Sequence, residues 1–270
     1  MKRGTLFWGF VLIILGLALL LDNLGILGNI DIWNLLWPLF LIALGAWILF
    51  GRVVRRAPTT EHVSIPLEGA QSARVRVGHG AGRLDVYAGS GLGNLAEGDF
   101  TGGLDYRSQL SGDVLEVKMR PPETYFVIVP KYFPFDLSPG LTLDWSFGLT
   151  ADIPLSLDFE TGASESRLNL RDLRLTELRL KTGASSTSID LPANAGQTRA
   201  TIESGAASVN IAIPEGVAAR IRTQGGLSTF EVDTNRFPQV GGVYQSPDYD
   251  TATNRIDMDI QMGVGSVKIY

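Results

Sequence analysis

The sequence predicts an all-β, solenoid-like domain preceded by a two-helix transmembrane hairpin. Three observations predict it: two uncharged apolar runs near the start, alternation of apolar and polar residues after residue 60, and a glycine motif that returns about every 21 residues. The mean hydropathy of +0.14 averages over these two materials, because the apolar excess sits mostly in the first 50 residues.

The first run, Leu6 to Leu21, reads LFWGFVLIILGLALLL, and the second, Leu35 to Phe50, reads LLWPLFLIALGAWILF. A spanning helix needs about 20 mostly apolar residues. Both runs reach that length with their neighbours, giving spans over about 4–21 and 32–51 within a hairpin of residues 1–56. Pro38 falls in the opening turns of the second helix, where a missing N–H costs least. A cleaved signal peptide is the competing reading of the start. No small-x-small cleavage site follows Leu21, however, and a second span comes soon after. Neither run has the polar face of a buried soluble hairpin.

Charge gives the orientation. Lys2 and Arg3 precede the first run, and Arg52, Arg55 and Arg56 follow the second. The connector from Asp22 to Asn34 has two Asp and no Lys or Arg. Positive charge marks the cytoplasmic side, so both termini are predicted cytoplasmic in a multi-pass membrane protein. Trp8 and Trp47 then fall toward the inner interface, and Trp33 and Trp37 toward the outer one.

Residues 57–60 (Ala-Pro-Thr-Thr) form a linker, and 61–270 a repetitive all-β domain. Thr161-Gly162-Ala163-Ser164, Thr182-Gly183-Ala184-Ser185, Ser204-Gly205-Ala206-Ala207 and Gln224-Gly225-Gly226-Leu227 each lead into an alternating stretch. Their first glycines, at 162, 183, 205 and 225, are spaced by 21, 22 and 20 residues. Such a step holds two short strands and two turns, one rung of a stacked solenoid. A Greek-key sandwich is the alternative, but it requires no regular step. Glycine at the corner supplies either a positive φ or a close backbone approach. Shorter copies, Gly80-Ala81-Gly82 and Gly263-Val264-Gly265, are expected to bracket the array as atypical ends. The segments 121–154 and 237–254 are predicted as long loops. The aromatics of the first, Trp145 among them, either fold over an open end of the stack or form a contact surface.

The chemistry is sparse. The chain has no cysteine, which excludes disulfides, thiolate metal sites and cysteine nucleophiles. Residues 1–56 carry a net +3, so the β domain holds −8 of a total of −5. That balance argues against nucleic acid as a partner. The clusters 78–82 and 89–93 are glycine-rich but match no phosphate-binding fingerprint and precede no helix, so they are predicted turns. His62 and His79 stand 17 residues apart without metal-ligand spacing, and His79 is predicted solvated. Asp85, Glu97, Asp99 and Asp105, and later Asp248 and Asp250, are the carboxylates to weigh for hydrolysis or cation binding; a solvated acidic face is the prediction. No catalytic, cofactor-binding or metal residue is therefore assigned, and no cofactor.

The hairpin, with Leu21-Asp22-Asn23 after the first span and Leu36-Trp37-Pro38-Leu39 opening the second, resembles the transmembrane region of LiaI/LiaF-like bacterial proteins. Gly80 to Leu84, Glu97-Gly98-Asp99-Phe100-Thr101-Gly102, Ser111-Gly112-Asp113 and the T-G-A-S repeats resemble the toast-rack β domain. The resemblance implies a membrane anchor plus a solenoid-like domain. LiaF-type members restrain a membrane sensor kinase that responds to cell-wall stress. It implies no catalytic or binding residue.

The expected function is a non-enzymatic regulator or accessory protein in envelope-stress sensing, acting through protein contacts. Its expected partners are the lipid bilayer, a membrane sensor histidine kinase or another membrane protein, and further copies of itself. A membrane-tethered structural or adhesin-like module is the alternative, and an enzyme acting on glycans through the early carboxylates is a third.

Overall fold

Alternating Val, Ile and Leu make strands with one buried face, and here they make long ones. The structure, a computed structural model, describes residues 59–122, 143–194 and 196–270. The chain divides into two units, Met1–Ala57 and Pro58–Tyr270. The predicted spans at 4–21 and 32–51 lie outside the described residues. Among the described residues no helix is long and apolar enough to cross a membrane.

The β unit is built from β1 (Thr60–Pro66), β2 (Ser72–Ala88), β3 (Asn94–Thr101), β4 (Asp105–Ser111), β5 (Val114–Arg120), β6 (Leu143–Leu149), β7 (Leu155–Asn169), β8 (Leu175–Asp190), β9 (Gln197–Ala212), β10 (Ala218–Val232), β11 (Gln239–Val240), β12 (Val243–Gln245) and β13 (Arg255–Ile269). The six long strands pair in parallel in the spatial order β2-β7-β8-β9-β13-β10. Each is one rung, bent at its middle into an amino arm and a carboxyl arm.

Burial shows the bend. In β8 the inward residues are Leu178, Leu180 and Thr182, then Thr187 and Ile189. In β9 they are Ala200, Ile202 and Ser204, then Val209 and Ile211. The inward parity changes across the corner, so the two arms face each other over one shared core.

The glycines at the corner are required by contact. A Cβ on Gly183 would lie 3.0 Å from the Gly162 carbonyl oxygen, one on Gly205 3.1 Å from that of Gly183, and one on Gly263 2.7 Å from that of Gly205. A Cβ on Gly162 would collide with the Gly80 carbonyl. None of these four glycines has a positive φ, so close approach between rungs is the cause. The corner register runs Leu227↔Val264 and Gly225↔Met262, which makes Gly226 the equivalent of Gly263. The expected corner at Gly225 is thereby corrected, and the steps become 21, 22 and 21 residues.

A second correction concerns order. The copy at Gly263 does not close the array. Its strand β13 lies between β9 and β10, parallel to both. The residues between β10 and β13 are long enough to carry the chain back and insert it one place inward. They are also not a plain loop, since β11 and β12 form a hairpin that pairs with β10 at Arg220↔Gln245 and Ile221↔Tyr244.

The predicted loop 121–154 is likewise only partly a loop. Residues 123–142 lie outside the described residues, but Leu143–Leu149 is strand β6, paired between β2 and β3. Its Trp145 and Phe147 are fully buried against Phe100, with ring centroids 5.3 and 5.6 Å from it. These rings fold over the β2 end of the stack. There the amino arm of β2 is extended by β5 and β4, and its carboxyl arm by β6, β3 and β1.

Candidate functional site

The bend places the last inward residue of each amino arm at the corner. The register His79↔Thr161↔Thr182↔Ser204 makes this a polar row inside an apolar core. Thr161 Oγ1 donates to Thr182 Oγ1 at 3.0 Å. His79 is 2% exposed, which corrects the prediction of a solvated turn histidine. It sits mid-strand in β2, and period-two alternation turns it inward. Its Nε2–H donates to the Leu143 carbonyl at 3.0 Å, and its ring meets Trp145 edge-on at 5.3 Å. Among the described residues neither Nδ1 nor the buried Trp145 Nε1 has a hydrogen-bond partner. Burial pulls the His79 pKa below the usual 6.5, against the opposing pull of the Leu143 carbonyl and of Asp144.

His62 is the opposite case. The β1–β3 register sets it across from Asp99. Nδ1 lies 2.9 Å from Asp99 Oδ1 and Nε2 3.4 Å from Glu97 Oε1. The Asp99 hydrogen bond, then that of Glu97, raises its pKa above 6.5. Glu97 is itself held low by the Asn94 amide, the Gly91 N–H and His62. This exposed clip ties β1 to β3 and to the 89–93 turn.

Among the candidate carboxylates, then, only Glu97 and Asp99 come together. Asp85 stands on β2 opposite Ser146 and Arg167, with a buried unpartnered Oδ1. Asp105 takes Arg120 at 2.9 Å, Asp250 takes Arg220 at 3.2 Å, and Asp248 caps a turn through its carbonyl. Among the described residues no group of three His, Cys, Asp or Glu is placed to hold a metal ion.

An open groove of about 880 Å³ runs along the glycine corners, with Glu160, Lys181, Glu203, Gln224 and Gln261 on its wall. Lys181 and Glu203 pair at 3.3 Å. The groove offers charge and hydrogen bonds but no nucleophile set against a base. It continues a ladder on the outer face of the amino arms. There Glu116–Arg74 and Arg76–Asp158 pair at 3.3 and 3.0 Å, and Arg222 holds both Asp257 and Asp259 at 3.0 and 3.1 Å. Sequence reading missed this ladder, because partners such as Arg76 and Asp158 become neighbours only through the rung register.

Comparisons with known proteins agree with this architecture. Residues 55–212 match the family described as "N-terminal domain of toast_rack, DUF2154", a span from β1 through β9. Residues 6–49 match the LiaI-LiaF-like transmembrane region. No curated protein matches the chain. Among solved structures, a Clostridium sporogenes protein provisionally described as a cell adhesion protein is 20% identical. It covers 78% of this chain and 98% of its own, with a TM-score of 0.70, which shows the fold. A Bacteroides fragilis protein provisionally described as an adhesin is 8% identical, covers 80% of this chain and 98% of its own, and has a TM-score of 0.27, too low to carry an argument. The chain therefore belongs to the toast-rack family, a solenoid-like β domain carried behind a LiaI-LiaF-like membrane region.

Proposed function

We propose that the protein is a membrane-anchored, non-enzymatic regulator or accessory factor in bacterial cell-envelope stress sensing. The observation that carries this reading is the pairing of a LiaI-LiaF-like membrane region with a toast-rack domain in one chain. The site geometry supports it. The histidines and carboxylates are spent on structure, and what the β domain presents is surface: a charged ladder, a groove and sheet edges. The anchor selects a partner within the membrane, and a sensor histidine kinase is the partner proposed. The excess of Lys and Arg at both hairpin ends supports termini in the cytoplasm.

The test is photo-crosslinking from the hairpin in intact membranes. Recovery of a sensor kinase, with kinase output rising when the chain is deleted, is the expected result. Repeated recovery of no kinase overturns the reading. An adhesive role is the second reading, favoured by the description of the Clostridium sporogenes neighbour. It requires the β domain outside the cell. A cysteine at Leu92, whose side chain is fully exposed, reports the side directly. Labelling by an impermeant thiol reagent in intact cells favours adhesion, and labelling only after lysis favours regulation.

A further inference from the structure

Sheet edges invite further pairing unless charge, proline, brevity or a covering segment blocks them. Most edges here are blocked. β1 carries Glu61 and His62 and ends in Pro66, β4 carries Asp105 and Arg107, and β11 is two residues long. The amino arm of β10 is covered by β12 at Arg220 and Ile221. From Arg222 to Val232 the outer side of β10 pairs with no strand among the described residues. That stretch holds no Pro, and its two charged residues, Arg222 and Glu231, lie toward its ends, leaving 223–230 uncharged. At its corner Leu227 is 82% exposed, and the adjoining Val264 of β13 is 52% exposed.

We propose that β10 is a self-association edge, to which a second copy adds its own β10 antiparallel about a two-fold axis between Leu227 and Ser228. The position of the axis follows from burial parity and from side-chain pairing. The rung register makes Gly225 the last inward position of the amino arm, in line with Met262 and Ser204. On the carboxyl arm Ser228, in line with Gly265 and Ala207, is the first inward position and Phe230, in line with Val267 and Val209, the second. Setting Gly225 opposite Phe230 keeps inward rows together, brings Gln224 opposite Glu231 and places the axis between 227 and 228. A two-fold axis there lays the amino arm of one copy on the carboxyl arm of the other.

Facing rows then agree. Thr223 meets Val232 and Gly225 meets Phe230 on the inner side, and Gln224 meets Glu231 on the outer side. A slip of one residue would set inward rows against outward ones. The charges agree as well. The Gln224 amide donates to the Glu231 carboxylate, and Arg222 faces Asp233 of the other copy. The β11–β12 hairpin ends at Ile221, just outside the shared ladder. An isologous contact of this kind closes as a dimer and leaves no edge for a third copy.

The chain has no native cysteine, so a register can be tested directly. Full-length protein in its own membranes carries Gln224→Cys and Glu231→Cys together, and each alone, and is oxidised. The double variant should give a disulfide-linked dimer that neither single variant gives, because position 224 meets only position 231 across the axis. Adding Leu227→Lys should abolish that dimer while the thermal midpoint stays unchanged. Equal crosslinking in single and double variants overturns the proposal. So does a crosslink to a different protein, or a dimer that survives Leu227→Lys.

Discussion

The two ends of the rung stack are finished in different ways. At β2 both arms are extended, and Trp145, Phe147 and Phe100 fill the last layer completely. At β10 a hairpin covers one arm, and the inward positions of the other, Phe230 and Val232, are only half-buried. Interior rungs bury their inward faces against neighbours on both sides, whereas an end rung must find other material. The β2 end uses aromatic rings and extra strands, and the β10 end leaves backbone exposed. Stability should therefore be concentrated at one end and association at the other.

The largest expected effect tests that division. Trp145→Ala removes a fully buried ring and should cost about 3–5 kcal/mol. Phe230→Ala, at the half-buried end, should cost less than about 2 kcal/mol. Denaturant unfolding of both variants measures the contrast, and equal losses would erase the distinction between the ends. Next come the corners. Gly162→Ala drives a methyl into the Gly80 carbonyl and should cost about 1–3 kcal/mol. At Gly226, on the end rung β10 with its one open side, the added carbon would lie 3.1 Å from the Gly263 oxygen of β13. That substitution should cost under about 1 kcal/mol, since the open side leaves room to shift.

The histidines give a smaller effect, of opposite sign at the two sites. The His79 pKa is lowered, so its buried neutral ring leaves stability whole above the unfolded value of 6.5. That stability is lost as pH falls below 6.5 toward the folded pKa. The His62 pKa is raised, so its contribution is whole below 6.5 and is lost as pH rises through the folded pKa. The chain has two histidines, and two imidazole NMR titrations should bracket 6.5. His62→Gln and His79→Gln assign them, and coincident midpoints would contradict the burial described for His79. The smallest effect is expected on the charged ladder. Lys181→Ala breaks an exposed pair with Glu203 and should change stability by no more than about 1 kcal/mol.

The rung, its step of about 21 residues and its corner glycines are legible in the sequence because each is local: alternation, a motif and a spacing. The order of the rungs is not, because parallel pairing joins distant segments and leaves no mark in either. Gly263-Val264-Gly265 looks the same whether its strand ends the stack or enters it. His79 is a related case. Its glycine neighbours suggest a turn, but the alternation of Val75 and Val77 continues through it and turns it inward. Leu143–Leu149 fails as a strand prediction because its Trp and Phe follow an aromatic segment that hides the period. The candidate site was legible mainly as a lack of catalytic motifs. The groove, the ladder and the open edge all depend on register, which only the structure supplies.

The place of β13 has a consequence for how the protein is made. β10 leaves the ribosome well before β13, yet its long parallel neighbour is β13 and not β9. The growing chain thus presents a finished surface on β9 and a ready strand in β10 with the seat between them vacant. Premature docking of β10 on β9 would be a trap that the later strand must undo. Synthesis through Ile269 therefore decides when the domain becomes native, and a stalled or shortened message would release a chain whose β10 is either docked on β9 or unjoined.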